Sequence, residues 1–317
     1  MLLNVSRWRC DALIVDRAEI RAVPLPDLTS GEAARWADEH LKSMRALDAA
    51  SGNPLLVINA ERRLAALLRR LSETVTGPVL DSIPERPRRI WWCPTGPLTM
   101  LPLHAASGDT DPALAPGSDA GPRDGPTPPG NLLIIAVPKA PDAAPLPNVD
   151  AERAFLTREF PHHTLLHDAR RESARDALSR HTRVHFACHA TQNLVAPYEA
   201  GFVLQDGLLS LTDLLAQPPS QGELAVLSAC QTATGGITHL DEVITLANAL
   251  HHTGWRHVIA TQFSVWDDAA ARFTELLYPL LSEQADPAEA VHAAVRILRD
   301  AYPNSPSRWA PYLHTGP

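Results

Sequence analysis

The sequence predicts an α/β fold in which a mostly parallel sheet carries helices on both faces. Two observations predict it. Residues 131–138, NLLIIAVP, form a continuous apolar run bounded by turn residues, the pattern of a central strand buried on both sides. From there to the end, short strand-like runs alternate with segments of helical spacing, an order that joins parallel strands through helical crossovers. With 317 residues, 45% of them hydrophobic, the chain is long enough to bury such a core.

The elements follow in order. Residues 12–25, ALIVDRAEIRAVPL, read as a hairpin, two β-branched runs around a charged turn. Between Gly31 and Leu71 apolar residues recur at helical spacing, as in ERRLAALLRRL, with a connector near Ser51 to Pro54. Arg89 to Cys93 read as a buried strand, Pro94 to Pro97 as a turn, and Leu101 to Ala106 as the start of a helix or loop. Residues 107–130 are almost wholly Gly, Pro, Asp, Ser, Thr and Ala. Such a segment cannot bury enough apolar surface to offset its ordering entropy, so it is expected to be a disordered linker. It divides the chain into a front part, 1–106, and a core, 131–317.

Within the core, helices are expected near Val149 to Phe160 and Arg171 to Ser179, with a short strand, HTLLH, between them. VHFACHAT and LAVLSACQTATGG follow as two apolar strands that each run out into a polar loop. LDEVITLANALHHTG reads as an amphipathic helix closed by Gly254, and HVIATQFSV as another strand. The helix from about Asp267 to Leu281 opens on acids that suit its N-terminus. The last helix has Asp286 as N-cap, Pro287 in its first turn and Glu289 behind them.

Composition removes several function classes. The formal charge is −8 and no basic run interleaves with aromatics, so nucleic acid is not an expected partner. The first residues hold no sustained apolar stretch with a cleavage site, and no later run approaches a membrane span. A cytoplasmic protein is expected. Cys10, Cys93, Cys188 and Cys230 form no CxxC pair and no regular spacing, which fits reduced thiols better than a disulfide framework or a zinc ribbon.

The chemistry concentrates at the ends of the two apolar strands. One leaves His189 and the other Cys230 at a strand exit, and ligands in parallel α/β sheets collect beyond the carboxyl ends of the strands. A cysteine nucleophile needs a base beside it and backbone N–H groups aimed at the developing oxyanion. His185 competes for the role of base. Its spacing from His189, with Cys188 nearby, also allows a metal site, but a histidine packed within the sheet is the stronger reading. Neither GxSxG, HExxH nor a Gly-rich phosphate loop occurs.

Taken in order, VHFACHAT, LQDGLLSLTDL, LAVLSACQTATGG, the DEV helix, HVIATQFSVWDDA and RWAPYLHTG resemble the CHAT domain family, caspase-like and separase-like cysteine peptidases of clan CD. In the front part CDALIV, VPLPDLT and RIWWCPTGPLTMLPLHAA join the resemblance. It implies a caspase-like αβα sandwich, Cys230 as nucleophile, His189 as base, and an oxyanion hole formed by the backbone N–H groups of Ala190 and Cys230. It implies no metal and no cofactor. The family pattern has glycine where this chain has Ala190, and a further strand and helix that residues 107–130 do not display. In FSVWD, Phe263 replaces the usual Trp, Val265 is in place and Asp267 holds the acidic position, which in separase-like relatives lies at the floor of the S1 pocket. Cleavage after a basic residue is therefore expected, with Asp268 able to exchange roles with Asp267, and Asp241 and Glu242 as lesser candidates. The acids' alternative duty is to cap helices. The partners implied are a protein substrate and a separate sensor or activator protein in a cell-death or defence pathway. The rival readings are an inactive CHAT-like binding or signalling module, against which retention of both Cys230 and His189 argues, and an acyl transferase using the same thiol.

Overall fold

A computed structural model describes the chain except residues 17–18, 50–52, 85–86, 88, 107–112, 117–130, 142, 192–198, 218–220, 230–244 and 284–285; for 113–116 it describes the backbone. The front part begins with β1 (Leu2–Val5), β2 (Cys10–Val15) and β3 (Ile20–Pro24), an antiparallel meander that contains the expected hairpin. Next come α1 (Ser30–Ala49) and α2 (Pro54–Leu71). Asn53 starts α2, its side chain accepting from Leu55 N at 3.1 Å, and Pro54 occupies the first turn, where no amide is needed. A π-helical turn, Ser72–Thr76, leads into α3 (Gly77–Asp81). β4 (Arg89–Pro94) returns parallel to β1, completing the order β3-β2-β1-β4-β5 with β5 (Ala113–Pro116).

β5 departs from the sequence expectation, which placed no regular element in 107–130. Ile90 pairs with Leu114 in a parallel ladder, so a strand already in place supplies the template that this composition does not advertise. The rest of the segment lies outside the described residues.

The central sheet has six strands in the order β14-β13-β12-β8-β6-β7. These are β6 (Leu132–Ala136), β7 (His163–Leu165), β8 (Arg183–Ala187), β12 (Leu224–Ser228) and β13 (His257–Thr261), all parallel, and β14 (Tyr312–Thr315), antiparallel at one edge. Between β6 and β7 runs α4 (Asn148–Glu159), and between β7 and β8 α5 (Arg171–Leu178). β9 (Ala190–Thr191), β10 (Gly201–Leu204) and β11 (Gly207–Ser210) form a small separate sheet, followed by α6 (Leu211–Leu215). α7 (Leu246–His252) precedes β13, and α8 (Asp267–Glu283) and α9 (Pro287–Ala301) follow it. α7 is shorter than LDEVITLANALHHTG suggests. Thr245 is extended and caps it by accepting from Asn248 N at 3.0 Å; Asp241 and Glu242 lie outside the described residues.

Two apolar clusters flank the sheet, and successive strand residues alternate between them as the period of two requires. Leu132, Ile134, Val226 and Ile259 pack with α4, α8, α9 and the front part. Leu133, Ile135, Phe186, Leu227 and Val258 pack on the other face with α5, α6 and α7. This is the αβα sandwich with a mostly parallel sheet that the sequence predicts.

Candidate active site

β8 and β12 are neighbours, and their register sets Ala187 opposite Ser228. His189 lies two residues beyond the first and Cys230 two residues beyond the second. Cys230 is outside the described residues, and the groups that flank its position are described. Ala229, the residue before Cys230, is buried, and its carbonyl accepts from Thr261 Oγ1 at 2.6 Å, fixing the exit of β12 to the end of β13. The next residue on that side, Gln262, donates from Nε2 to Thr99 O and Leu101 O, both at 3.2 Å, so the turn that follows β4 buttresses the same corner.

His189 is half-buried. Its Nε2 lies 2.6 Å from Ala144 O, in the loop between β6 and α4. The carbonyl can only accept, so Nε2 carries the proton, and Nδ1, with no partner among the described residues, is the nitrogen left to accept one. The backbone is anchored too, because Val203 N of β10 donates to His189 O at 2.8 Å. Ala190 lies in β9 opposite Phe202. Extended backbone suits alanine as well as glycine, and the methyl that replaces the family's usual hydrogen costs no conformational strain there.

The β6–α4 loop reaches a second predicted residue. Asp267, half-buried at the start of α8, accepts through Oδ2 from Asn148 N at 2.9 Å and from Asn148 Nδ2 at 2.8 Å, capping α4 rather than its own helix. Its Oδ1 carries no hydrogen bond among the described residues. Asn148 is four residue steps on from Ala144, a span of at most about 14 Å at ~3.6 Å per residue. His189 and Asp267 are thus held by the two ends of one short segment. Asp268 is more exposed and pairs with Arg308 at 2.8 Å.

His185 is fully buried on β8. The Tyr278 hydroxyl lies 2.9 Å from Nδ1, and Glu152 Oε1 lies 3.0 Å from Nε2 and also accepts from Thr274. With Nε2–H donating to Glu152 and Nδ1 accepting from Tyr278, every group in the cluster is satisfied. Burial pushes the Tyr278 phenol up, so it stays protonated and able to donate. His185 is a packed histidine that ties β8 to α4 and α8, and both of its nitrogens are committed.

Sequence reasoning missed the Ala144 carbonyl, Asn148, Glu152 and the helices that hold the segment after β13. On that segment Phe263 meets the His40 ring of α1 edge-on at 5.2 Å, and the Ser264 side chain bonds Asp48. Trp266 Nε1 donates to Ser307 Oγ at 2.9 Å, and Ser307 in turn donates to buried Glu61 of α2 from its amide, at 3.1 Å, and from its hydroxyl.

An αβα sandwich with an oriented imidazole at the carboxyl end of one strand, beside a strand that leads to a cysteine, is an arrangement that can serve thiol chemistry. Residues 65–317 match the CHAT domain, and the chain belongs to that family. Two solved structures are similar to it, the first of a Porphyromonas gingivalis protein. One is a complex of the RgpB pro- and mature domains, with TM-score 0.39 and 13% identity over 59% of this chain and 47% of that one. The other is the Arg specific cysteine proteinase gingipain R, with TM-score 0.40 and 13% identity over 59% of this chain and 45% of that one. The chain thus spans about half the length of the gingipain chains it matches. No curated protein sequence matches it.

Proposed function

We propose that the protein is a cysteine endopeptidase of the CHAT family that cleaves a protein substrate after a basic residue. His189 Nδ1 takes the proton of the Cys230 thiol, and the sulfur attacks the peptide carbonyl carbon. The oxyanion that forms accepts from the amides of Ala190 and Cys230. As the C–N bond breaks, the leaving amine takes the proton from His189 and a thioester remains. Water, deprotonated by His189, then hydrolyses that thioester and frees the thiol. The oriented His189 ring carries this reading, because a base whose Nε2–H is committed to a carbonyl presents one basic nitrogen in one direction.

Asp267 provides the basic-residue preference. Its Oδ1, without a hydrogen bond among the described residues, and its bounded distance from His189 suit a guanidinium or ammonium on the residue before the scissile bond. Asp268 contributes negative potential beside it. No metal or organic cofactor takes part, a separate sensor protein switches the enzyme on, and the setting is a cytoplasmic cell-death or defence pathway.

The test is covalent labelling by peptidyl acyloxymethyl ketones with Arg, Lys, Asp or Leu next to the warhead, on wild type, Cys230→Ala and His189→Ala. Labelling by the Arg or Lys probe that disappears in Cys230→Ala is the expected result. Labelling that survives in Cys230→Ala would overturn the assignment of the nucleophile, and preference for Asp or Leu would overturn the basic pocket.

A further inference from the structure

The α1–α2 hairpin carries a feature that proteolysis does not use. A cleft of about 620 Å³ opens between the two helices. Its walls hold Lys42, Arg62, Arg63 and Arg70 against one carboxylate, Glu39, in a chain whose overall charge is −8. Arg70 is tied to Glu39 at 3.1 Å, and Lys42 to Asp38 at 2.6 Å. Arg62 and Arg63 are exposed and have no carboxylate partner among the described residues. Two adjacent uncommitted guanidiniums offer forked donors to a phosphate.

A second observation points the same way. His40 also lines the cleft, is 3% exposed, and its buried Nδ1 has no hydrogen-bond partner among the described residues. Native proteins seldom leave such a group unpaired, because burying it without a partner costs about 1–3 kcal/mol. Burial pushes the ring down to about 4, so near neutral pH it is uncharged. The apolar residues below, Leu64 and Leu67, are only 1% and 4% exposed. They provide none of the protruding anchors on which an amphipathic helix docks, whereas the volume falls in the range of small-molecule pockets.

We propose that this cleft binds a phosphorylated small molecule of nucleotide size, with Arg62 and Arg63 on its phosphates and the His40 ring in its wall. A link to the candidate active site follows from the contacts above. His40 touches both the cleft and Phe263, and Glu61, which holds Trp266 through Ser307, directly precedes Arg62. Occupancy therefore bears on the segment that ends at Asp267. That regulatory consequence rests on the peptidase reading; the binding itself does not.

Calorimetric titration of the full chain with ATP, AMP and pyrophosphate tests the site, comparing wild type, Cys230→Ala and the double variant Arg62→Glu, Arg63→Glu. Both arginines are exposed, so the double variant should fold, and its circular dichroism spectrum verifies that. Saturable ATP binding is expected, equal in Cys230→Ala, weakened at least about tenfold by the charge reversals and weakened by added salt. No saturable binding of any probe would overturn the proposal, as would affinity unchanged in the double variant. ATP binding no tighter than pyrophosphate would overturn the nucleotide-sized class, and selective binding of an acidic peptide would replace it with a protein partner.

Discussion

Replacing Glu152 with alanine should destabilise the protein by about 2–6 kcal/mol, the cost of leaving two buried donors without their acceptor. The structure shows where that cost arises. Glu152 is 3% exposed, and its Oε1 receives both the Nε2–H of fully buried His185 and the hydroxyl of fully buried Thr274. Without the carboxylate both donors are orphaned, at about 1–3 kcal/mol each. Glu152→Gln keeps an oxygen for both donors and should cost about 1 kcal/mol. Tyr278→Phe, which removes only the partner of Nδ1, should fall between the two. Urea unfolding at constant m reads these differences as shifts in midpoint. A Glu152→Ala variant within about 1 kcal/mol of wild type, or no worse than Glu152→Gln, would refute the account of the cluster as a strut joining β8, α4 and α8. Because α4 begins at Asn148, the alanine variant should also label more slowly with the Arg probe.

Three further outcomes are expected. Asp267→Asn retains an oxygen to cap α4 but removes the charge, so labelling by the Arg probe should fall by about 10- to 100-fold while the urea midpoint holds; Asp268→Asn, at an exposed pair with Arg308, should change labelling by less than about twofold. Acid should weaken the fold, because burial holds His40, His104 and His257 down at about 4 and His314 well below its ordinary value. Between the unfolded value near 6.5 and about 4 the unfolded chain binds more protons, so stability present above pH 6.5 is lost as pH falls, at up to about 1.4 kcal/mol per unit for each histidine. Asp48 and Glu61, whose carboxyls burial pushes up, act in the opposite direction, and a midpoint that rises on acidification from pH 6.5 to 4 would contradict the dominance of the histidines. Gly201→Ala should cost about 1–3 kcal/mol by thermal or urea unfolding, because its methyl would meet the Leu209 carbonyl, Leu208 Cγ at 2.7 Å and Ser210 Cα at 2.9 Å; wild-type stability would show that β10 yields there.

The core was legible in the sequence wherever burial writes itself into side chains. NLLIIAVP became β6, buried at four of its five residues, and Asp286 with Pro287 opened α9 as their residue types require, Asp286 accepting from Ala288 N at 2.9 Å. His185 was readable as a packed residue. What escaped were groups whose role depends on distant partners. β1 is four residues long and completes itself against β4, some ninety residues on. Ala144 acts through its carbonyl, which every residue has, so no residue type marks it. Asp267 looked like the cap of its own helix or the floor of a pocket; its partner, Asn148, lies 119 residues earlier. Likewise His40 and Glu61 read as ordinary helix residues, because nothing local announces their ties to Phe263 and Ser307.

The antiparallel strand at the edge of the central sheet sets a schedule for synthesis. All five residues of β13 are buried, and one flank of that strand is closed by residues 312–315, where His314 Nε2 meets His257 Nδ1 at 2.9 Å. While a ribosome has made the chain only as far as residue 311, that flank is a bare apolar template for any passing strand. The nascent protein therefore cannot seal itself domain by domain as it emerges, and a stalled or nicked product lacking this short stretch should be found with chaperones or in aggregates rather than as a weakened native protein.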